Sequence, residues 1–274
     1  MVSVKRFIHD EPSLFKASKD FVALFLKCAD PIVYVAHKMP TPNEQIAWTL
    51  LGTALFQDRS YPDIIRLLVK LYECFPGDKL WTLPVPKVSE IEGVVEQTFN
   101  SRNWSMFEHV SGIFLSVGLF VRHHPDLVAW ARERTPEGMW RDLGEIYFMG
   151  RSNPRPKACA AIYRLIAPAP LGLGLSCLAG KMPPLPLTMG ARRFLAMLGP
   201  AKESNFSELE PQEKQRMANE YFVALSPENP YVASHSLQFF LENGTDGFIC
   251  REQTSRCAKC PLYEYCNYAE LRKR

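Results

Sequence analysis

The chain has 274 residues, 47% apolar and 22% charged, enough for one large or two modest domains with their own cores. Net charge is only +3, so no strongly charged chain is implied. The longest largely apolar run, Val110 to Val121, is too short to span a bilayer, which excludes a membrane partner at that run. Residues 1–30 interleave Lys5, Arg6, His9, Asp10 and Glu11 with apolar side chains and form no secretory signal, so a reducing cytoplasm is the expected setting. Nothing signals an oligomer, and a monomer is the default.

Period-2 alternation is absent and helical spacing recurs, which predicts an all-α fold. A first helix is expected over Phe15 to Ala29. Thr41 caps a second, with Pro42 in its first turn, running to about Gln57. Ser60 caps a third, with Ile64, Leu67, Leu68 and Leu71 on one face. Another starts at Ser89. Trp104 to Val121 is long and strongly apolar, which predicts a central helix. Pro125 to Arg134, Pro136 to Phe148, Pro156 to Ile166 and Leu171 to Gly180 follow. The last two are joined by Ala167-Pro168-Ala169-Pro170. Later helices are expected at 189–198, 211–225 and 230–242. Pro183 to Leu187 is proline-rich and reads as an extended connector at a domain junction.

Four cysteines near the end carry the most information: Cys250, Cys257, Cys260 and Cys266, with gaps of six, two and five residues. Four thiolates within 17 residues suit either a 4Fe–4S cluster or a tetrahedral zinc. The uneven gaps, unlike the paired knuckles of zinc ribbons, and Pro261 directly after the third cysteine favour the cluster. A disulfide pairing is disfavoured because nothing else suggests secretion. Cys28, Cys74, Cys159 and Cys177 are scattered on apolar stripes, which predicts buried packing.

Residues 250–274 hold six basic side chains against three acids, so the excess positive charge of the chain lies here. Arg251, Arg256 and Lys259 fall between the cysteines, where a loop would fix their direction toward a phosphate backbone. Arg272 to Arg274 read as a solubilising tail.

The cysteine spacing, followed by Leu262-Tyr263-Glu264-Tyr265, resembles the endonuclease III and adenine-mismatch glycosylase branch of the helix-hairpin-helix DNA glycosylases. Two further stretches carry the likeness: Trp48 to Pro76, WTLLGTALFQDRSYPDIIRLLVKLYECFP, and Leu175 to Met197, LSCLAGKMPPLPLTMGARRFLAM. The resemblance implies a two-lobed all-α fold with DNA across the cleft between the lobes. One lobe, 41–183, would be a six-helix bundle with a degenerate helix-hairpin-helix. The other, 1–40 with 184–274, would hold a 4Fe–4S cluster on Cys250, Cys257, Cys260 and Cys266. Gln57 falls at the glutamine that fills the gap left by a flipped nucleotide, and Arg102 or Asn103 near the wedge that enters the base stack.

The likeness fails at the chemistry. Cutting an N-glycosidic bond passes through an oxocarbenium-like cation, which a fixed carboxylate stabilises. The family's aspartate position holds Thr188, and the glutamate position of the mismatch branch holds Thr53. The lyase branch uses a lysine just after its hairpin glycines, and the alignment puts Ala169 there. The prolines of the expected hairpin remove backbone donors, which predicts a weaker phosphate grip.

About two dozen residues, Arg132 to Pro154, are extra relative to the family. Their acids Asp142 and Glu145 are expected on a solvated face, as are Lys157 and Lys181. His235 lies near a family histidine but reads as structural.

The expectation is therefore a DNA-binding protein of the base-excision type with hydrolysis in doubt. Its competitors are a catalytically silent relative, a nucleosidase acting on a modified base or RNA, and a redox sensor.

Overall fold

The computed structural model describes residues 3–57, 59–99, 104–150, 155–202, 206, 208–240 and 259–266. Helix accounts for 61% of the described residues, and none of them lies in a strand. The chain divides into two compact units: residues 29–183, and residues 1–28 with 184–274.

The middle unit has eight helices among its described residues: α3 (Pro31–Ala36), α4 (Pro42–Leu55), α5 (Tyr61–Cys74), α6 (Val88–Phe99), α7 (Val110–His123), α8 (Leu127–Arg132), α9 (Pro136–Leu143) and α10 (Pro156–Ile166). Its centre is α4, in which every residue from Ile46 to Leu55 is buried. Thr41 and Glu44 form a reciprocal capping box at its start, and Pro42 opens its first turn. Helices α3, α5, α7, α8 and α10 all pack on it. Gly52 makes the closest crossing possible: a Cβ there would lie 2.7 Å from Ile32 Cγ2 and 3.0 Å from Leu68 Cδ1. This packing corrects the expected centre at 104–121. That stretch is a 3-10 turn (Phe107–His109) followed by α7, and α7 leaves Leu115 and Leu119 exposed at 59% and 43%.

Helix α3 was absent from the predicted elements. Asp30 caps it, its Oδ1 accepting from the backbone N–H groups of Ile32 and Val33 at 2.9 and 3.2 Å. Since α3 packs on α4 and α5, residues 29–40 belong with the middle unit, and the junction lies at 28/29 rather than 40/41.

The second unit contains α1 (Val4–Asp10), α2 (Pro12–Ala23), α11 (Met189–Met197), α12 (Pro211–Leu225) and α13 (Pro230–Leu237). The first helix expected over 15–29 is α2, which starts earlier at Pro12 and ends earlier, the chain turning after Ala23, and α1 ahead of it was not expected. Helix α13 is buried from Tyr231 to Leu237 and is this unit's centre, packed by α2, α11 and α12. An aromatic core surrounds it, with Phe194 5.2 Å from Phe240 and 6.2 Å from Tyr221 between ring centres.

The helix expected over 171–180 does not form. Instead the chain folds back over the end of α10. The N–H groups of Leu171 and Gly172 donate to Pro168, Leu173 to Arg164, Gly174 to Ala167 and Leu175 to Leu165, all at 2.8–3.2 Å. The bonds to Arg164 and Leu165 satisfy carbonyls of the last turn of α10, and the others close the turn just past its end. Gly172 permits the approach, since a Cβ there would meet the Ala167 carbonyl oxygen at 2.3 Å. Gly174 adopts a left-handed φ of +67° that ends any helical path.

Candidate functional site

The carboxy-terminal cysteine loop is described from Lys259 to Cys266; Cys250, Cys257, Arg251 and Arg256 lie outside the described residues. Cys260 and Cys266 bracket a 3-10 turn, Tyr263–Tyr265. The Cys260 carbonyl accepts from Tyr263 N–H at 3.0 Å, and Cys266 N–H donates to the Tyr263 carbonyl at 3.3 Å. Leu262 between them is fully buried and anchors the turn, while Lys259 is exposed. Two half-buried thiols on a pinned turn, with two further cysteines in the sequence, make a sulfur donor set that suits an iron–sulfur cluster or a zinc ion.

The scattered cysteines differ from that pair. Burial pushes the thiols of Cys28 and Cys177 up, and that of Cys159 up to about 11, which keeps them protonated and poor ligands. Only Cys159 is buried. Cys74 ends α5 and is exposed, and Cys28 and Cys177 are half-buried outside helices; Cys159 is buried as expected, and Cys177 packs partly buried against the core of the middle unit.

Thr188 is the N-cap of α11, and its hydroxyl oxygen accepts from Ala191 N–H at 3.3 Å. The start of α11 is seated closely on the end of α13: a Cβ on Gly190 would meet the Gln238 carbonyl oxygen at 2.1 Å. Thr53 is fully buried on α4. Its hydroxyl donates to the Thr49 carbonyl at 2.7 Å and accepts from Arg164 Nη1 at 3.2 Å. Both threonine hydroxyls thus serve helix ends and helix packing.

Arg164 is the residue that sequence reasoning missed. It is buried, donates from Nε to Asp30 Oδ2 at 3.0 Å and from Nη2 to the Tyr61 hydroxyl at 3.0 Å, and so joins α10 to α3, α4 and α5. Around Thr53 the environment is therefore an ion pair already balanced by Asp30.

Asp142 is on α9 rather than a solvated face: Trp130 Nε1 and Arg134 Nε donate to its Oδ2 at 2.9 and 3.0 Å. Glu145 is exposed, as expected. Lys181 is exposed too, but Lys157 is not on a water-facing surface. It is half-buried at the second position of α10, its Nζ donates to the Ala54 carbonyl at 2.7 Å, and it lies 5.4 Å from the Phe148 ring centre. His235 is buried on α13, with Nδ1 2.7 Å from Gln238 Nε2, and holds that helix end.

Helix α10 has no second helix after it in the middle unit, but it has one before it. Helices α9 and α10 pack together, and between them the described Phe148, Gly150 and Arg155 have positive φ, at 68°, 103° and 51°. Ala158 N–H donates back to the Met149 carbonyl at 3.2 Å. Lys157 lies two residues after Arg155.

Gln57 lies two residues beyond the end of α4. Its carbonyl accepts from Trp104 Nε1 at 3.0 Å, and its side-chain amide makes no hydrogen bond with a described residue. Trp104 is buried and meets Phe99 edge-on at 5.0 Å. The glutamine turn is thereby tied to the residue that follows Arg102 and Asn103, which themselves lie outside the described residues.

Among the described residues no helix is long and apolar enough to cross a membrane. Comparison with protein-family models, with curated proteins and with solved structures gives no match.

Proposed function

We propose that this chain is a 4Fe–4S nucleic-acid-binding protein of the helix-hairpin-helix glycosylase type, which recognises damaged or modified bases in DNA without hydrolysing the N-glycosidic bond through a carboxylate. The observation that carries this reading is the engagement of both threonines. Thr188 caps α11 and Thr53 is enclosed by the Arg164–Asp30 pair, so neither position supplies a charge to a developing cation. The cysteine spacing, the pinned Cys260–Cys266 turn and the Gln57–Trp104 link support the binding half. A cluster held by Cys250, Cys257, Cys260 and Cys266 would fix the loop that carries Arg251, Arg256 and Lys259.

The test uses the full chain purified anaerobically. Iron with absorbance near roughly 400 nm is expected. So is retention of at least one lesion-bearing duplex over its unmodified counterpart, with no abasic sites formed. Zinc in place of iron overturns the cluster, failure to retain any DNA overturns the partner, and release of a base overturns the silent site. A modified-RNA arm in the same panel separates DNA from RNA.

Lys157 favours a second reading. If α9 and α10 are the hairpin pair, Lys157 takes the place of the lysine expected just after the hairpin. Its amine would attack the C1′ aldehyde of an abasic deoxyribose, forming an imine and releasing water. Borohydride reduction with an abasic duplex would then leave a covalent adduct that Lys157→Met abolishes. No adduct with the wild-type chain rejects this reading.

A further inference from the structure

We infer that Arg59, stacked on Phe99 two residues after Gln57, grips a phosphate of the bound polynucleotide. This rests on the nucleic-acid reading above and deepens it, by assigning a contact surface within the 29–183 unit that is separate from the cysteine loop.

Three observations converge on the turn after α4. First, the Arg59 guanidinium carbon lies 4.8 Å over the centre of the Phe99 ring. A guanidinium laid on a ring face leaves its N–H rim available, and the stacking restricts its torsions before any ligand arrives. Second, Arg59 makes no hydrogen bond or ion pair with a described residue. Five other arginines are paired with an acid: Arg66 with Asp63, Arg134 with Asp142, Arg164 with Asp30, Arg216 with Glu220 and Arg6 with Asp10. Asp63, the nearest described acid along the chain, already accepts from Ser60 Oγ and Arg66. Third, the platform is rigid. Phe99 is held edge-on by buried Trp104, whose indole N–H is bonded to the Gln57 carbonyl.

A pre-oriented planar cation with no hydrogen-bond or ion-pair partner among the described residues matches a phosphodiester oxygen pair. Arginine meets such a group through two parallel N–H bonds. A neutral small molecule would leave the charge unbalanced, whereas the polynucleotide of the reading above presents a phosphate. A polynucleotide strand supplies a phosphate with a base or sugar edge beside it.

The experiment is fluorescence anisotropy of a labelled lesion duplex titrated with the full cluster-bearing chain at several salt concentrations. Each phosphate neutralised by a cation contributes a slope of about 0.9 in log K against log salt. Arg59→Gln is expected to lower the slope by about one such unit and to weaken lesion and unmodified duplexes by the same factor. Arg59→Lys is expected to keep the slope while losing affinity, since it keeps the charge without the planar stack. Arg59→Met serves as a second charge-removing variant, and tryptophan fluorescence checks the fold of each. Wild-type slope and affinity in both charge-removing variants overturn the inference while leaving the binding reading intact. A wild-type chain that binds no duplex overturns both.

Discussion

Replacing Arg164 by methionine tests the most consequential interaction in the middle unit. Asp30 is fully buried, and its carboxylate accepts from Arg164 Nε at 3.0 Å and from two backbone N–H groups of α3. Methionine matches much of the arginine stem but supplies no charge. The substitution strands the Asp30 carboxylate and removes donors from the Thr53 and Tyr61 oxygens. Breaking one partner of a buried pair costs about 3–5 kcal/mol. For a unit of this size that corresponds to a fall in melting temperature of roughly 6–20 °C. All five tryptophans, Trp48, Trp81, Trp104, Trp130 and Trp140, lie within 29–183, so tryptophan fluorescence in urea reports this unit alone. The double variant Arg164→Met with Asp30→Asn removes the stranded charge while keeping an oxygen for the α3 cap. It is expected to be more stable than Arg164→Met by about 1 kcal/mol or more. A loss below about 1 kcal/mol for Arg164→Met, or no recovery in the double variant, would refute the reasoning.

Gly52→Ala sets helix propensity against space. Alanine gains about 1 kcal/mol in a helix interior, but a Cβ 2.7 Å from Ile32 Cγ2 forces repacking that costs about 1–3 kcal/mol, so the urea midpoint falls; a rise would show that α3 yields freely. Thr188→Ala loses the α11 cap and about 0.5–2 kcal/mol, whereas Thr188→Asp, itself a good cap, stays within about 0.5 kcal/mol of wild type by circular dichroism melting. Base release gained by Thr188→Asp would mark position 188 as the dormant acid site. Cys159, with its thiol raised to about 11 by burial, stays protonated at pH 8, so iodoacetamide followed by peptide mass spectrometry labels exposed Cys74 first, and Cys159 labelling rises only as pH approaches that value. Equal labelling of the two at pH 8 would contradict its burial.

What the sequence made legible was local. Thr41-Pro42 with Glu44, and Ser60 ahead of Tyr61-Pro62, mark helix starts by chemistry contained in four or five residues, and α4 and α5 begin there. Helix α12 starts at Pro211 and ends at Leu225, as its spacing predicts. What was illegible depended on distant partners. Helix α3 is six residues long, and the aspartate that caps it is balanced by an arginine 134 positions away. The run after Pro170 carries helix-forming leucines, yet its amides find the carbonyls of α10 first. Apolar content alone favoured α7 as the centre, but small residues such as Ala47, Gly52 and Ala54 let α4 accept neighbours on every side. At the candidate site, Lys157 looked like any surface lysine, because nothing nearby in the sequence reveals that its ammonium meets the last turn of α4.

The last turn of α4 has a consequence of its own. Two carbonyls at or just past its end, those of Ala54 and Gln57, are claimed by Lys157 and Trp104, side chains that arrive from 103 and 47 residues further along the chain. The end of α4 and Gln57 are therefore held as an edge of the interior, with Phe56 stacked 4.1 Å from Tyr61. A partner docking on that edge encounters torsions frozen in advance, so little ordering entropy is lost on contact. Selectivity there follows from shape and charge already in place, and loosening the weld, for instance with Trp104→Phe, would be felt as faster dissociation more than as slower arrival.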